Sequence, residues 1–407
     1  TAMQKEIIKK KTSSLTINVV ATKAESLRKV VEDTTTVRVY ENGNIGVAGQ
    51  VGKADVCDVE KQAIDNLALE IAYPCDLTKN TQKAVDARKN IVDTAHFVKI
   101  MQSLLAKLEK EIPSFLFSNK ITYRENETEY TNSENTSLSH AGNELDIVLC
   151  IKSKTSANIM DFAYAVDMLD YDEDKVVADI KSLCDAYDNK IEWQDGKYVV
   201  VASGSMFYGD ALSNFSGELY ASGASLFKDC FGQKIFDEKV TLELDPENAN
   251  NVCFFDAEGT LLEGDDCALI KNGVFERVLA NKKISAQFSL PRIACSAAAY
   301  DSIPAVGASE LRFKNTHKSI LDAIGNEKAI YIVEASGGDM TTSGDYATPC
   351  EVALLIENGK FVGRLPKINL FGNVKEFLGD DFVGASDKGL FNYQDSMAVA
   401  KMNVSLI

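Results

Sequence analysis

A chain of 407 residues is longer than a single hydrophobic core usually supports, so the length predicts two domains. The formal net charge of −17 disfavours direct binding to nucleic acid, because the only dense basic cluster is Lys5, Lys9, Lys10 and Lys11. Nine scattered cysteines without a CxxC pair favour reduced thiols over a disulfide framework or a zinc knuckle. No apolar run approaches a membrane span and Thr1–Lys11 lacks the apolar core of a signal peptide, so we expect a cytoplasmic protein without a membrane partner.

The first half of the chain alternates predicted strands and helices. Apolar residues that alternate with polar ones predict strands, and apolar residues spaced at three and four predict helices. The predicted strands are Ser14–Val20, a hairpin over Thr34–Gln50, Ile121–Tyr130 and Leu145–Ile151, and the predicted helices are Val59–Ile71, Val85–Ile112 and Asp172–Tyr187. This order predicts a sheet with helices packed against it.

The second half is richer in predicted β structure. Tyr198–Ala202 is a predicted strand, Met206–Tyr220 is a predicted helix, and strands and turns dominate the remainder. The polar stretch Ala186–Lys197 is the best candidate for a domain boundary. We therefore predict an α+β protein of two domains, with an N-terminal sheet and its packed helices over residues 1–188 and a β-rich C-terminal domain over residues 189–407.

Three structural signals follow one another late in the chain. An apolar run over Ala329–Val333 leads into the loop Gly337–Tyr346, which is rich in Gly, Ser and Thr. Val352–Ile356 and Lys360–Val362 then form a predicted hairpin, joined by Glu357-Asn358-Gly359. The Asn-Gly pair supplies the positive φ values that a tight turn needs.

This order resembles the C-terminal domain of the TldD/PmbA family, peptidase-related proteins once described as modulators of DNA gyrase. In that family a TGDY-like loop precedes a strand and an IENG turn, and Ser343–Tyr346 and Ile356–Gly359 match these motifs here. Asn135 stands where the family's NSxG turn has glycine, and asparagine is the next best residue for a left-handed backbone. Four further stretches resemble the family in its order: Thr34–Gln50, Asn132–Asn135, Ser225–Leu244 and Phe254–Gly273. The first matches a hairpin with an arginine-bearing strand, and the last matches a DDEG-to-NG hairpin.

The resemblance also indicates which branch of the family the chain is similar to. In the metallopeptidase branch, the helix that matches Met206–Tyr220 carries HExxxH, in which two histidines hold a metal and the glutamate polarises water. This segment has no histidine here, and Val383–Gly389 lacks the cysteine that the same branch places there. The chain's three histidines lie far apart in the sequence: His96, His140 and His317. The chain therefore resembles the PmbA branch, which lacks the metal motif.

Two other chemical interpretations remain open. Ser225–Lys228 has the SxxK spacing in which a lysine could deprotonate a serine nucleophile, but Ser26–Lys29 has it too, as chance would give. A group of acidic residues could collect a divalent cation: Glu263, Asp265 and Asp266, with Asp256 and Glu258 nearby. Their spacing does not match a calcium loop, so a solvated hairpin is the favoured interpretation.

The loop Gly337–Tyr346 is the best candidate for a functional surface. Its glycines let a partner approach the backbone closely, and its hydroxyl and carboxylate groups offer hydrogen bonds. The candidate residues for binding peptide or a partner are Gly337, Gly338, Ser343, Gly344, Asp345 and Tyr346. A purely structural crossover explains the same composition equally well. We predict no catalytic and no metal-ligating residue in this chain.

The resemblance implies a PmbA-like subunit of a TldD/PmbA-type peptidase system that acts in peptide maturation or in proteolysis of unfolded peptides. The subunit would form homo- or hetero-oligomers with a TldD-like metallopeptidase. Zinc or a similar divalent metal is then expected only in that partner, and this chain is catalytic only through the partner, if at all. The alternative is a noncatalytic, self-associating peptide-binding or scaffold protein.

Overall fold

The computed structural model describes residues 3–244, 252–262, 268–307 and 311–407. Long strands alternate with helices in the first half of the chain, as the hydrophobic patterns predict. The elements of this half are β1 (Gln4–Val20), β2 (Lys23–Glu41), β3 (Asn44–Val51), α1 (Val56–Asp65), β4 (Gln82–Asp86), α2 (Phe97–Glu111), β5 (Phe115–Asn132), β6 (Thr136–Ser153), β7 (Phe162–Met168) and α3 (Glu173–Asp188), with short 3-10 turns over Asn66–Leu69 and Thr94–His96.

The strands of the first half form one sheet in the order β3-β2-β1-β5-β6, and β7 and β4 both pair with β6. Asn42 and Gly43 have φ angles of 52° and 82° and make the tight turn between β2 and β3, which confirms the predicted hairpin. Helices α2 and α3 cover one face of this sheet. There Ile147 of β6 lies in one buried cluster with Leu105 of α2 and Ile180 of α3.

The second half consists of shorter strands and short helices. Its elements are β8 (Gly196–Ser203), α4 (Gly204–Tyr208), a 3-10 turn (Leu212–Phe215), α5 (Gly217–Ala221), β9 (Leu242–Leu244), β10 (Ala268–Lys271), β11 (Val274–Phe275), α6 (Lys282–Phe288), β12 (Ser296–Ala297), β13 (Ala305–Val306), β14 (Leu311–Phe313), α7 (Ile320–Ile324), β15 (Ala329–Ala335), β16 (Asp339–Met340), β17 (Asp345–Glu357), β18 (Lys360–Arg364), β19 (Ile368–Asn373), α8 (Val374–Phe377), β20 (Phe382–Ser386) and β21 (Met397–Leu406).

Five strands of the second half close into a ring of pairings. They follow the order β15-β8-β21-β19-β17, and β17 also pairs with β15. The first half of β17 pairs with β19 and its second half with β15, so this one long strand closes the ring. Side chains alternate between the faces: Val200 and Ala400 lie in one buried cluster, and Val199 and Val399 lie in another. Burial on both faces explains why the predicted strand Tyr198–Ala202 is apolar without interruption.

Two turns adopt the backbone that their residues predict. Asn358 and Gly359 have φ angles of 53° and 73° and join β17 to β18. Asn135, between β5 and β6, has a φ angle of 59°, so asparagine takes the left-handed position where the family has glycine. Both turn predictions are confirmed.

The predicted helix over Val85–Ile112 is wrong in its first third. Residues up to Asp86 belong to β4, which pairs with β6, and the helix begins only at Phe97. Beyond β4, the side chain of Asn143 holds the backbone of Lys89 through two hydrogen bonds of 2.7 Å each. The backbone of this segment therefore forms its hydrogen bonds with β6, and the helix cannot begin earlier.

The predicted helix over Met206–Tyr220 is broken into α4, a 3-10 turn and α5. The chain is extended at Ser216, with ψ 131°, and the N–H of Gly217 donates to the carbonyl of Leu279 at 3.0 Å. A Cβ atom on Gly217 would lie 2.7 Å from Cγ2 of Ile284 in α6. Close approach of these two segments therefore interrupts the helix and requires glycine.

The α+β class is confirmed, while the domain boundary between residues 188 and 189 stays a prediction. The chain leaves α3 at Asp188 and enters β8 at Gly196. Between them it pairs with β18, because the N–H of Ile191 donates to the carbonyl of Arg364 at 3.0 Å. No helix in the described ranges is long and apolar enough to cross a membrane.

The two halves meet at an apolar junction beside α3. Val352 and Leu354 of β17 and Tyr393 lie in the same buried cluster as the inner faces of α2 and α3. The carboxylate of Asp179 in α3 accepts hydrogen bonds from the backbone N–H groups of Asn392 at 2.9 Å and Tyr393 at 3.0 Å. Apolar packing and hydrogen bonds thus join α3 to the second half.

A second junction is polar and fully buried. Arg38 of β2 is 2% exposed and its Nη1 donates to Oε1 of Glu6 at 2.7 Å and to the carbonyl of Ala257 at 2.7 Å. The carboxylate of Glu6 also accepts from the hydroxyls of Tyr40 at 3.0 Å and Tyr130 at 2.8 Å. The first hairpin and the turn around Ala257, two of the resembling stretches, therefore contact each other directly.

Glu258 adds a second buried carboxylate to this polar junction. It is 0% exposed and accepts from the hydroxyl of Tyr73 at 2.5 Å, while Nζ of Lys282 donates to its carbonyl at 2.8 Å. Gly259 has a φ angle of 68°, and a Cβ atom there would lie 2.4 Å from the ring of Tyr130. Only glycine allows this turn to pack against the first sheet.

We expect Arg38→Met to lower the free energy of unfolding by about 3–5 kcal/mol, because it leaves the buried carboxylate of Glu6 without its cation. Chemical denaturation followed by tryptophan fluorescence and circular dichroism measures this change. The control is Arg88→Met, which removes an exposed ion pair with Asp86 and should leave stability unchanged. Equal stability of the two variants would contradict the structural role of Arg38.

Candidate functional site

The segment that matches the metal-bearing helix of the family is part of the hydrophobic core in this chain. Phe207, Tyr208, Ala211 and Phe215 are all buried, with exposures between 0% and 9%. Phe207 packs edge-on against Phe377, and the hydroxyl of Tyr208 donates to the carbonyl of Leu311. These residues supply apolar contacts and no metal ligand.

The late segment that matches the family's cysteine-bearing stretch lies close to this helical segment. Phe313 bridges them, since its ring centroid lies 5.5 Å from that of Tyr208 and 5.5 Å from that of Phe382 in β20. A metal bound through imidazole and thiolate needs nitrogen and sulfur donors here. Tyr208 and Phe313 pack at this contact, and the imidazole of His317 lies against Gly384 of the late segment. No described His, Cys, Asp or Glu side chains complete a group of three ligands there, so the described residues do not fit such a metal.

The three histidines lie in unrelated surroundings. His96 is exposed and its Nδ1 lies 2.7 Å from Oδ2 of Asp93. His140 is buried edge-on against the ring of Phe254, and burial lowers the pKa of its imidazole. His317 contacts the hydroxyl of its neighbour Thr316 at 2.9 Å. Among the residues that the structure describes, no three His, Cys, Asp or Glu side chains come together to hold a metal.

Of the acidic residues that could collect a divalent cation, the structure describes only Asp256 and Glu258. Glu263, Asp265 and Asp266 lie outside the described residues. Asp256 accepts backbone hydrogen bonds from Glu258 and Thr260 at 2.9 Å and from Ser296 at 3.0 Å, and burial raises its pKa to about 6. The described acidic side chains of this stretch therefore hold the turn in shape.

The hydroxyl of Ser225 forms hydrogen bonds with the backbone. It is 4% exposed, and its hydroxyl donates to the carbonyl of Asn214 at 2.7 Å and accepts from the N–H of Phe227 at 3.0 Å. Lys228, the lysine of the SxxK spacing, makes no contact with this hydroxyl. The hydroxyl thus stabilises the turn that follows α5.

The loop Gly337–Tyr346 is the crossover between β15 and β17, and its polar side chains bond mainly to one another. The hydroxyl of Ser343 lies 2.8 Å from that of Thr341 and donates to Oδ2 of Asp345 at 2.7 Å. Nδ2 of Asn373 donates to Oδ1 of Asp345 at 2.9 Å. Hydrogen bonds from Asn373 and Ser343 keep the pKa of Asp345 below its usual value.

The end of this crossover loop is anchored to the core. A Cβ atom on Gly344, which has a φ angle of 91°, would lie 2.9 Å from Cγ1 of Val374 and 3.1 Å from Cδ2 of Leu226. Tyr346 is buried against Phe377, and burial raises the pKa of its hydroxyl to about 12. Gly344 and Tyr346 therefore have structural roles, while Ser343 and Asp345 remain exposed at the surface.

The start of the crossover loop borders a groove of about 840 Å³ between the two halves of the chain, which we call the junction groove. The hydroxyl of Thr348 donates to the carbonyl of Gly337, and Gly338 leaves room for Tyr346, so the loop keeps close to β17. The lining residues of the groove come from five segments: 158–161, 187–191, 334–336, 351–352 and 364–367. Its size falls in the range of ligand pockets.

The junction groove has apolar walls and several charged groups. Asp161 is already bonded, since it accepts from the N–H of Ser153 at 2.8 Å and from the hydroxyl of Ser156 at 2.7 Å. Glu351 forms an ion pair with Lys367. These three charged side chains are held by neighbours and shape the groove.

Glu334, at the end of β15, is the exception among the groove's carboxylates. It makes no ion pair and no side-chain hydrogen bond with any residue that the structure describes. Burial, and then the neighbouring charge of Glu351, raise the pKa of its carboxyl group. A half-buried, unpartnered carboxylate in a groove is typical of a binding surface.

Sequence reasoning missed the junction groove, because its residues come from five distant segments. One local signal was present: Ile159 and Met160 are large apolar residues within the polar stretch 152–161. Ile159 is 97% exposed at the rim of the groove. An aliphatic side chain that is fully exposed beside a cavity often marks an interaction site.

We expect Ser225→Ala to lower the free energy of unfolding by about 1–2 kcal/mol, because the backbone groups of Asn214 and Phe227 lose their partner. Ser222→Ala is the matched control, since its exposed hydroxyl bonds only to the nearby carbonyl of Leu219. Denaturation curves measure both effects. Loss of peptide hydrolysis in Ser225→Ala at unchanged stability would instead identify Ser225 as a nucleophile.

Comparison with known proteins was made for sequence and for structure. Residues 196–405, just over half of the chain, match the family described as PmbA/TldA metallopeptidase C-terminal domain. No match to a curated protein was found.

Solved structures share the fold over the whole chain at low sequence identity. TldE from Thermococcus kodakarensis superposes with a TM-score of 0.81 at 15% identity, covering 99% of this chain and 96% of that chain. A proposed DNA gyrase modulator from Thermotoga maritima gives 0.76 at 14% identity, with coverages of 99% and 96%. A similarly described protein from Bacteroides thetaiotaomicron gives 0.72 at 14% identity, with coverages of 100% and 94%.

At such identities the superpositions establish the fold alone. The sequence match spans the ring of strands in the second half, including the crossover loop and most of the segments that line the junction groove. The chain belongs to the TldD/PmbA family.

Proposed function

We propose that this chain is a PmbA-like subunit of a TldD/PmbA-type peptidase system, acting in the cytoplasm on peptides that are matured or degraded. The observation that carries the proposal is the burial of Phe207, Tyr208 and Phe215 in the segment where metal-bearing members of the family have HExxxH. A chain that keeps the family fold and lacks these ligands can supply binding surface. A TldD-like metallopeptidase partner then supplies zinc or a similar divalent metal.

In this proposal the unfolded peptide binds in the junction groove. Its apolar walls suit side chains that are exposed in unfolded peptides, and its volume is large enough for a few residues. The crossover loop beside it presents Ser343 and Asp345 at the surface. We assign this loop to contact with the partner subunit, next to the peptide.

Recovery of the tagged chain from its native lysate tests this function. We expect a relative with HExxxH to be recovered in equal amount, because two subunits are needed to combine the binding surface with the metal. Peptide hydrolysis should then require both chains and should be abolished by a chelator. Recovery of this chain alone, with no change in hydrolysis when a TldD-like protein is added, would contradict the proposal.

An open strand edge favours the second candidate function, a self-associating scaffold or peptide-binding protein. Strand β3 pairs with β2 only from Thr34 onwards, so no described strand pairs with the outer edge of β2 over residues 24–32. Leu27 and Val31 on this part of β2 are 50% and 53% exposed. Open edges bind further strands through main-chain hydrogen bonds.

If this edge mediates self-association, the double variant Leu27→Lys, Val31→Lys should convert an oligomer into a monomer, because charge at an edge opposes pairing. Sedimentation equilibrium measures the mass. The control is Leu69→Lys, which alters a residue that is 66% exposed elsewhere and should leave the mass unchanged. An oligomer that persists in the double variant would exclude this edge as the interface.

A further inference from the structure

We propose that the junction groove binds the free carboxylate end of a peptide, with Arg364 and Lys190 as the carboxylate-binding residues. This inference rests on the proposed peptide-binding function and adds a direction to it. The bound peptide ends in the groove, and its last side chain is apolar.

The groove carries positive charge that no described ion pair neutralises. Arg364 lines the groove, is partly buried, and forms no ion pair with any described residue. Lys190, which is likewise without an ion pair in the described chain, lies beside it, since the two residues form a parallel β-bridge. The neighbouring cation Lys367 is already paired with Glu351. Two adjacent cations that line the groove without an ion pair, Arg364 partly buried and Lys190 exposed, are complementary to one anion.

An aromatic contact orients the side chain of Arg364. Its guanidinium carbon lies 3.8 Å from the ring centroid of Tyr187, so the aromatic face holds the guanidinium group in place. A fixed, planar guanidinium presents parallel N–H groups that match the two oxygens of a carboxylate. Because the aromatic contact restricts the side chain in advance, less conformational entropy is lost when the ligand binds.

Apolar side chains surround this pair of cations. Ile191, Val352 and Leu365 line the groove, and Ile159 is exposed at its rim. An apolar side chain next to the carboxylate would be buried there, which favours a peptide ending in a residue such as leucine. Glu334 faces the groove without a partner, so a second negative charge on the ligand is repelled.

Fluorescence anisotropy of the full-length chain with labelled hexapeptides tests this inference. The probes are an alanine-rich hexapeptide ending in leucine with a free carboxylate, its C-terminal amide, and the same acid with glutamate before the leucine. We expect the amide to bind at least tenfold more weakly than the acid, because a charge-assisted pair is lost. The glutamate peptide should also bind more weakly.

Variants test which residues bind the free carboxylate of the peptide. Arg364→Gln should lower the affinity for the acid peptide to that for the amide peptide and leave the affinity for the amide peptide unchanged. Lys190→Gln should lower the affinity for the acid peptide by a smaller amount. Arg88→Gln is the control, because Arg88 is exposed beyond β4 and does not line the groove. Unfolding curves establish that each variant is folded. The comparison of the acid peptide with the amide peptide uses the unaltered chain and does not depend on any variant.

The binding results distinguish failure of the carboxylate inference from failure of the peptide-binding function. Equal binding of acid and amide by the unaltered chain, or an effect of Arg364→Gln on both peptides alike, would overturn the carboxylate inference and leave peptide binding intact. No binding of any hexapeptide, to this chain or to its complex with the metallopeptidase, would overturn the inference and the peptide-binding function together. Recovery of the partner from lysate is a separate result and does not depend on these peptides.

Discussion

The buried ion pair between Glu6 and Arg38 organises the polar junction between the two halves of the chain. Removing two charges from water is costly unless neighbouring groups satisfy them. Tyr40 and Tyr130 satisfy the carboxylate from the first sheet, but Arg38 needs the carbonyl of Ala257 from the second half. The first sheet and the turn at residues 256–260 are therefore held in contact. Because the junction groove takes walls from both halves, its shape depends on such contacts.

The ring of strands is held by backbone pairing, so the fold does not depend on a metal site. Strand β17 closes the ring through backbone pairing with β19 and β15, which needs no particular side chains. The segment after β8 is then free to contribute either ligands or core residues. Here Tyr208 of that segment packs against Phe313, which also packs against Phe382, and the burial of these rings stabilises the second half. We propose that this chain functions through its binding surfaces.

The sequence predicted features governed by local chemistry and missed those that depend on distant contacts. The Asn358-Gly359 and Asn135 turns follow from backbone preferences of single residues, and the α+β class follows from hydrophobic periodicity. The helix over Met206–Tyr220 was predicted too long, since its break depends on the approach of Gly217 to α6. The crossover loop was found by composition, yet its hydrogen bonds are mostly internal. The junction groove has no continuous sequence signal, because its cations and carboxylates converge only in the folded chain.

We propose that this chain provides binding surface and that a partner provides the metal chemistry. Metal analysis by mass spectrometry, on this chain alone and on its complex with a TldD-like metallopeptidase, tests the claim most directly. We expect about one zinc or similar divalent ion per complex, carried by the partner, and far less than one per isolated chain after dialysis. Stoichiometric metal retained by the isolated chain, together with peptide hydrolysis in the absence of any partner, would contradict it.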